Sequence, residues 1–584
     1  MKYLKLFFIA ALSMFTICSC TDSNIVPEEP VTPVTPDEPD EPEVPDTTAN
    51  YLVMYFGVGG GNLDPYIVPR LFRALDEGSS EKVKMTFQVK LSYYYQNFCH
   101  GFQGVRRFTA DDNAHYVGKV EELLKDGMVP DKPYEIGNNK LETIFTDLKT
   151  DSIGDLDYDM VTPECLADFI KWSKEKYPNT KRTILILNNH GRGWDITDDG
   201  IKDYGKAGTR GILYDNNNKT HMSLNDVVNG IKQGGNVDVM FLDACLMNMY
   251  ENLYGYASCC KYLVSGVEPL PALAGDFRTL LKMLKEASGT NETDIVETMK
   301  KYVDHHLSKE WWGQWPDMDC DLSCINLTKL DQITTVMKKT VDTLVEKFCS
   351  SESINPTATE LLFGDTFAPY IRMALVNCEL AESDEYFSFF KSGIPTKVLR
   401  AMMADRVTTG DGVNLRLAAE WLRVPSTDGA KEIAENYPDE WLQAQIVVAK
   451  HCYVSYVFTD LLRNIDKELD AVGAQNNPFK QLRKEMLDAL KSIAYITCTT
   501  NTEIPGVDQA YELCSPGLAI IPFTEESYKS PFNARISDSI PSVQDAVKIY
   551  QNLEFDKQVG WSRFLQLVDV TPSALFNPRR KFVK

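Results

Sequence analysis

Two predicted strands each end next to a side chain that is common in catalytic sites. The apolar run Thr183–Leu187 leads into His190, and the apolar run Val237–Leu242 leads into Cys245. Ligands of open parallel sheets bind just beyond the carboxyl ends of strands, so the two side chains are expected to meet at one edge. A thiol nucleophile and an imidazole that carries its proton are the groups that cysteine peptidase chemistry requires. His190 and Cys245 are therefore the predicted catalytic residues.

Backbone and acidic groups beside these residues complete the predicted site. The glycine after the histidine leaves its N–H unobstructed, so the N–H groups of Gly191 and Cys245 are candidate donors to an oxyanion. Asp243 shares a face with Cys245, because side chains alternate along a strand. A carboxylate there disfavours the thiolate, so we expect Asp243 to receive the positive charge of a substrate Arg or Lys. The structural alternative is that Asp243 accepts a hydrogen bond from a neighbouring loop.

Strand and helix signals alternate from Asn50 onward and predict how this site is positioned. Further buried strands are expected at Tyr51–Val58 and Tyr262–Ser265. Helical patterns are found at 166–175, from 223 to about 231, and at 246–257. Strands that alternate with helices imply a mostly parallel sheet covered on both faces, which is an α/β fold.

The amino terminus is predicted to be an export signal followed by a linker. Two lysines precede the apolar run Leu6–Ile17, which is too short to span a bilayer but suits a secretory signal. The run ends in a sequence that resembles a bacterial lipobox, which predicts lipidation of Cys20 and a signal peptide over residues 1–20. Residues 21–49 carry nine acids, no base and a proline at every third position, which predicts an extended linker. The predicted location is the cell envelope, with a lipid anchor in a membrane and the body facing the periplasm or the outside.

Composition and charge exclude several classes of protein. With 43% hydrophobic and 24% charged residues among 584, the chain is neither disordered throughout nor fibrous. Its formal net charge of -23 repels phosphate, so no nucleic-acid partner is expected. The 14 cysteines show no paired metal-ligand spacing, and neither a metal site nor a cofactor is expected. The acid-rich stretch Asp195–Asp203 is interpreted as a solvated loop, with a calcium site as the alternative.

Two motifs together resemble the clostripain family of bacterial cysteine endopeptidases. They are His190-Gly-Arg-Gly-Trp194 and Phe241-Leu-Asp-Ala-Cys-Leu-Met247, with Glu251 further on. Similarity to the family extends to Tyr55–Asp64, Pro163–Trp172, Pro516–Pro522 and Gly560–Leu565. The resemblance implies a caspase-like three-layer α/β/α sandwich over residues 50–340. A largely helical C-terminal region with a late strand would follow over residues 341–584.

The resemblance also implies a specificity. The chain is similar to enzymes that cleave proteins and peptides after Arg or Lys. In that family the acid two residues before the cysteine, here Asp243, is associated with substrate binding. A second acid follows the next strand in the family. Glu268 and Asp276 are its candidates in the altered segment Ser265–Asp276 of this chain.

The loop between the two motifs is the predicted site of self-processing. Residues 195–220 are polar and contain several glycines, and they carry Lys206 and Arg210. An enzyme that cuts after bases would meet these residues at a high effective concentration. The resemblance implies activation by a cut in this segment. We expect cleavage after Lys206, with Arg210 as the second choice, and two fragments that stay associated.

A surface binding lipoprotein that keeps the caspase-like fold but has lost catalysis is the alternative function. The intact pair of His190 and Cys245 argues against this alternative, and the altered segment Ser265–Asp276 argues for it. Hydrolysis of peptides distinguishes the two functions.

Overall fold

One sheet of nine strands, with helices on both faces, forms the centre of the computed structural model. The structure describes residues 49–61, 63–91, 102–119, 147–191, 193–194, 211–267, 270, 275–308, 311, 320–348, 428–438, 455–471, 477–499, 506–519, 525 and 540–566. These residues belong to the unit Thr47–Lys584. Among them, no helix combines the length and the apolar character that crossing a membrane requires. The predicted signal with Cys20, and the predicted linker as far as residue 48, lie outside the described residues.

Strands occur along the whole of the described chain. They are β1 (Tyr51–Val58), β2 (Val83–Leu91), β3 (Gly104–Thr109), β4 (Asp151–Gly154), β5 (Arg182–Asn188), β6 (Ile212–Asp215), β7 (Thr220–Met222), β8 (Val237–Asp243), β9 (Cys260–Ser265), β10 (Cys320–Asn326), β11 (Ser455–Val457), β12 (Ala494–Thr499) and β13 (Gly517–Ala519). The helices are α1 (Asp64–Glu77), α2 (Pro163–Lys176), α3 (Leu224–Gly234), α4 (Tyr250–Tyr256), α5 (Phe277–Glu286), α6 (Glu292–His306), α7 (Asp331–Phe348), α8 (Asp428–Asn436), α9 (Phe458–Ala471), α10 (Pro478–Ile493), α11 (Gln509–Leu513), α12 (Val543–Gln551), α13 (Glu554–Val559) and α14 (Ser562–Leu565).

The main sheet has a parallel centre and antiparallel edges. Its strand order is β12-β10-β9-β8-β5-β1-β2-β3-β4. The central strands β9, β8, β5, β1 and β2 run parallel to one another, while β3, β4, β10 and β12 are antiparallel to their neighbours. Helices α1, α3 and α4 each lie in the connection between two parallel strands, as crossovers require. The predicted α/β class with a mostly parallel sheet is confirmed.

Residues of β1 alternate between two hydrophobic cores, one on each face of the sheet. Leu52 and Phe56 belong to the first core, and Val53 and Tyr55 belong to the second. Side chains of α2, α3, α4, α7, α9 and α10 close the first core, and those of α1, α5 and α6 close the second. Because both faces of the central strands are buried, β1, β5 and β8 are mostly apolar, while β2 buries the polar side chains of Thr86, Gln88 and Lys90. The three predicted layers are therefore present.

The C-terminal region is largely helical, as predicted, and it also completes the sheet. Strand β12 pairs antiparallel with β10 and forms one edge. Strand β13 pairs with β11, and its Gly517 forms an isolated bridge with Met249, just before α4. Helix α7 runs across position 340, where the sequence predicts the boundary between the two regions. That boundary stays a prediction.

A buried ion pair holds the hairpin of β6 and β7 against the sheet. Lys90 Nζ lies 2.5 Å from Asp215 Oδ2, and both side chains are fully buried. Lys90 also donates to the Tyr158 carbonyl (2.9 Å), and Asp215 accepts from the N–H groups of Asn217 (2.9 Å) and Asn218 (3.3 Å). These bonds replace the hydration that both charges have lost. The hairpin lies between β5 and β8 in the chain, so the pair fixes the described hairpin part of the connection between these two strands.

Breaking this pair from one side is expected to destabilise the fold. Lys90→Met should lower the free energy of unfolding by about 3–5 kcal/mol, because it leaves a buried carboxylate without a cation. The double variant Lys90→Met/Asp215→Asn should recover most of that loss. Urea unfolding measures both. Lys285→Met, which removes a partly exposed pair with Glu77, is the control and should cost less than about 1 kcal/mol. A double variant no more stable than the single one would contradict this account.

Candidate active site

The register of β5 and β8 places the predicted catalytic residues at matching levels. Asn188 and Asp243 are partners in the parallel ladder, and His190 and Cys245 each follow two residues later. The two loops contact each other at Gly191, where an added Cβ would lie 2.4 Å from the Cys245 carbonyl oxygen. Only glycine permits this approach, since real Cβ atoms do not come so close to a backbone oxygen. The structure therefore brings together the two loops that the sequence predicts to form the site.

Hydrogen bonds from two neighbouring elements hold the histidine loop. The Asn189 side chain donates to the carbonyl of Val58 at the end of β1. Its oxygen accepts from the N–H of Tyr214 in β6 at 2.8 Å. The carbonyl of His190 accepts from the N–H of Leu213 at 3.1 Å. His190 is partly buried, and its position is set by β1 and by the β6–β7 hairpin.

The cysteine lies in a tight turn rather than at the start of a helix. A helix is expected over 246–257, but α4 begins only at Tyr250. Leu246 adopts a φ of 64°, a left-handed conformation that is uncommon for a residue with a side chain. The turn is held by bonds from the N–H of Asn248 to the Gly266 carbonyl (3.0 Å) and from the N–H of Gly517 to the Asn248 carbonyl (2.9 Å). The C-terminal region thus supports the turn that carries Cys245.

Leu270 covers the Cys245 thiol in this conformation. Its N–H donates to Cys245 Sγ at 3.4 Å, and the thiol donates to the Leu270 carbonyl at 3.6 Å. Burial raises the pKa of Cys245; the Leu270 N–H acts against this rise, and the Asp243 carboxylate adds to it. The cysteine is therefore a neutral thiol here, and an incoming base must take its proton before it can attack.

Asp243 is buried against groups of the chain itself. Its Oδ2 lies 2.5 Å from Arg70 Nη1, and the two side chains are 4% (Arg70) and 2% (Asp243) exposed. Asn188 Nδ2 donates to the same oxygen at 2.8 Å, and Tyr55 donates to the Asn188 amide oxygen at 2.9 Å. Burial raises the pKa of Asp243, although Arg70 and Asn188 act in the opposite direction. Asp243 therefore has structural hydrogen-bond partners, but they lie on helix α1 and strand β5 and not on a neighbouring loop. The specificity role of Asp243 stays a prediction.

Of the two candidates for a second acid, the structure describes only Asp276. Asp276 caps the start of α5 by accepting from the Thr279 N–H at 3.3 Å, and it lies 3.0 Å from His305 Nε2. Although burial acts in the opposite direction, bonds from His305 and Thr279 hold the pKa of Asp276 below its usual range. Glu268 lies outside the described residues. Near these positions, an added Cβ at Gly275 would lie 2.9 Å from Asp243 Oδ2, so the segment Ser265–Asp276 contacts both Cys245 and Asp243.

Several predictions for the loop after β5 cannot be compared with the structure. Lys206, Arg210 and the acidic stretch Asp195–Asp203 lie outside the described residues. Within the described ranges, no group of three or more His, Cys, Asp and Glu side chains could hold a metal ion. The described cysteines all have free thiols.

Glu251 joins α4, the helix that follows Cys245, to the C-terminal region. Its Oε1 accepts from the Ala519 N–H at 3.0 Å and from the Tyr550 hydroxyl at 2.9 Å. The Tyr550 ring packs edge-on against Trp194 of the histidine motif, with centroids 5.2 Å apart. The Trp194 N–H in turn donates to the sulfur of Met249 at 3.1 Å. This chain of contacts joins both motifs to residues more than 250 positions further along the sequence.

The sequence reasoning missed several residues of the site. Arg70 is a single base among the buried residues Ile67, Val68, Leu71 and Phe72 of α1, and that placement was a usable signal. Asn188 and Asn189 follow an apolar strand, which marks the strand end but not their partners. Leu270 offered no signal at all, since nothing in its neighbours indicates contact with Cys245.

The Glu251 contact predicts a specific pH dependence of stability. Burial raises the pKa of Glu251 from 4.5 to about 7, so folding favours its protonated form. Its stabilising contribution is therefore complete below pH 4.5 and is lost as the pH rises to about 7, a change of roughly 3 kcal/mol. Glu251→Gln cannot ionise, so its stability relative to wild type should rise by that amount over this range.

Urea unfolding of both proteins between pH 4.5 and 7.5 tests this difference. Glu554→Gln, on the exposed surface of α13, is the control for an ordinary glutamate. A stability difference between wild type and Glu251→Gln that does not change with pH would show that Glu251 ionises normally.

Comparison with known proteins gives matches to one family of proteases. Residues 125–390 match the model of the clostripain family. No curated protein matches the chain. Among solved structures, an inactive zymogen protease from Parabacteroides distasonis is 13% identical with a TM-score of 0.41, and the match covers 88% of this chain and 98% of that one. A secreted cysteine protease from Bacteroides thetaiotaomicron, solved with an irreversible peptide inhibitor, is 14% identical with a TM-score of 0.34. That match covers 50% of this chain and 71% of the other. A B. fragilis cysteine protease is 13% identical with a TM-score of 0.27, covering 60% and 97%.

Proposed function

We propose that this chain is a cysteine peptidase of the clostripain family, that it is lipid-anchored, and that it cleaves proteins after Arg or Lys; the match of residues 125–390 to the family model supports the proposal. The observation that carries the proposal is the contact between the histidine and cysteine loops at Gly191, beyond the paired ends of β5 and β8. Two loops that approach this closely can place an imidazole and a thiol on one substrate bond.

The proposed reaction uses the two side chains and two backbone donors. His190 takes the proton of Cys245, and the sulfur attacks the scissile carbonyl carbon. The N–H groups of Gly191 and Cys245 stabilise the oxyanion that forms. His190 then protonates the leaving amine, and water hydrolyses the thioester to release the acid and restore the thiol. The raised pKa of Cys245 fits a mechanism in which the proton leaves only when His190 accepts it.

Asp243 is the proposed specificity acid. Its carboxylate, with Asn188 beside it, already holds a guanidinium group, that of Arg70, at 2.5 Å. The Asp243 carboxylate therefore suits the guanidinium group of a substrate arginine. Glu268 and Asp276 are the proposed second acids.

The cell envelope is the proposed location. The lipobox-like sequence that ends at Cys20 supports a lipid anchor, and the acidic, proline-rich residues 21–49 support a spacer between the membrane and the folded body. Protein or peptide substrates are the proposed partners. No cofactor is proposed, although calcium at Asp195–Asp203 is the alternative that the experiment below includes.

A catalytically inactive binding lipoprotein is the second candidate. The two bonds between Leu270 and Cys245 favour it, because they cover the nucleophile. A peptide chloromethyl ketone that labels Cys245 would reject this candidate, since labelling requires an accessible and reactive thiol.

A panel of fluorogenic peptides with Arg, Lys or a neutral residue before the scissile bond (the P1 residue) tests the activity and its specificity. We expect kcat/KM for Arg and Lys to exceed that for neutral residues by about tenfold or more, measured with calcium and with a chelator. Cys245→Ala should lower kcat by at least about 10⁴-fold. Cys259→Ala is the matched control, because Cys259 is a buried thiol just before the start of β9, level with the start of β8 and far along that strand from Cys245.

The specificity acid has its own matched control on the same strand. Asp243→Asn should lose about ten- to hundredfold more activity on Arg than on neutral substrates, because a charged partner is removed. Asp238→Asn, at the start of β8 and paired with Arg182, should leave the ratio unchanged. Equal losses on every substrate would make Asp243 a structural residue.

Self-processing is proposed after Lys206, with Arg210 as the second choice. The purified protein should appear as two fragments that elute together, because β5 and β8 are neighbours in one sheet and would lie on different fragments. Mass spectrometry of the fragments identifies the bond. Cys245→Ala should remain a single chain, and Lys206→Ala should move the cut to Arg210. Cleavage of the Cys245→Ala protein at the same bond and rate, in a protease-free preparation, would contradict self-processing.

A further inference from the structure

Arg70 of α1 occupies the carboxylate to which the specificity of the enzyme is assigned. Its guanidinium Nη1 lies 2.5 Å from Asp243 Oδ2, and both side chains are almost completely buried. The two residues are 173 positions apart in the sequence, so the pair exists only in the folded chain. The cation that Asp243 binds in this conformation is the same chemical group as a substrate arginine.

The Arg70 side chain is incompletely satisfied where it lies. Its Nε is buried and has no hydrogen-bond partner among the described residues. A buried donor without an acceptor costs free energy, so Arg70 is held less firmly than a guanidinium with all its donors paired. The side chain has four rotatable bonds, so a change of rotamer is the movement by which Arg70 would leave Asp243 while α1 stays in place.

The surrounding charges do not permit two guanidinium groups on Asp243. With Arg70 bound, the pair is neutral, and a substrate base would add an uncompensated positive charge to a buried site. Asp276 is engaged by His305 at 3.0 Å. Burial lowers the pKa of His306 to about 3, and Arg70 acts in the same direction, so this neighbouring imidazole is neutral and does not take over from Arg70.

We propose that Arg70 is a specificity-determining residue that competes with the basic P1 side chain of the substrate for Asp243. A basic P1 residue binds only when Arg70 has left the carboxylate, and neutral P1 residues bind without that step. Arg70 therefore lowers the preference of the enzyme for Arg and Lys over neutral P1 residues, compared with an enzyme in which the Asp243 carboxylate has no internal partner. The proposal rests on the proposed function, because it takes Asp243 as the specificity acid.

Benzamidine is the probe, because it carries a planar cation like that of arginine and its binding does not depend on catalysis. Arg70→Gln should bind benzamidine at least about tenfold more tightly than wild type. An open state populated at about 1–10% weakens apparent affinity by about 10- to 100-fold, and the substitution removes that penalty. In peptide assays, the ratio of KM for neutral substrates to KM for Arg substrates should rise by a similar factor.

Three variants control the interpretation. Arg278→Gln is matched, because it removes another arginine whose ion pair is with α1, at Asp76. Arg70→Gln/Asp243→Asn should lose the gain in benzamidine affinity, since the carboxylate is absent. Arg70→Lys keeps a cation at Asp243 with a poorer fit and should bind benzamidine with intermediate affinity. Thermal unfolding checks that each variant is folded, and Arg70→Lys decides the question if Arg70→Gln is not.

The outcomes separate this proposal from the proposed function. Benzamidine binding that is unchanged or weaker in the folded Arg70 variants overturns the competition and makes Arg70 a structural partner of Asp243. Tighter binding in a protein that hydrolyses no peptide supports the competition and rejects the peptidase function. Hydrolysis of Arg peptides with no gain on substitution of Arg70 rejects the competition and leaves the peptidase function in place.

Discussion

The pairing of Asn188 with Asp243 at the ends of β5 and β8 is the constraint on which the site depends. Two parallel strands in this register deliver their following loops to the same level of the sheet edge. The remaining distance is closed by Gly191, whose missing side chain lets the histidine loop rest on the backbone of Cys245. A shift of one residue in this register would turn the side chains of one strand to the opposite face and separate the two loops.

Charges at this edge of the sheet are neutralised within the chain. Lys90 binds Asp215, Arg70 binds Asp243, and His305 lies beside Asp276. The buried carboxylates of Asp215 and Asp243 would otherwise carry a large desolvation cost, so Lys90 and Arg70 are part of the fold. If Asp243 is the specificity acid, as proposed, the same arrangement has a functional consequence: Arg70 must leave Asp243 before a basic substrate side chain can bind there. Leu270 similarly covers the Cys245 thiol, because its backbone N–H and carbonyl form hydrogen bonds with the sulfur.

Contacts from the C-terminal region stabilise both the cysteine turn and the histidine motif. Gly517 binds the backbone of Asn248 in the cysteine turn, and Tyr550 contacts both Glu251 and Trp194. Leu246 has an unfavourable backbone conformation, which persists only where surrounding contacts hold it. The region at the end of the chain therefore belongs to the same structural unit as the nucleophile, and it also supplies the edge strand β12.

The sequence by itself determined the class of the fold and the proximity of the two loops that carry His190 and Cys245. Periodicity and strand ends are local signals, and the carboxyl ends of parallel strands meet at one edge whatever the rest of the chain does. It also predicted that Asp243 would receive the positive charge of a substrate, whereas in the structure the positive charge beside Asp243 is that of Arg70. Only the tertiary structure decided which partners the buried polar groups find. Asp243 pairs with Arg70, 173 positions away, and Glu251 accepts from Tyr550, 299 positions away. The Cys245 thiol bonds to Leu270, 25 positions away. A buried polar residue shows in the sequence that it needs a partner, but the packing of distant elements determines which partner it finds.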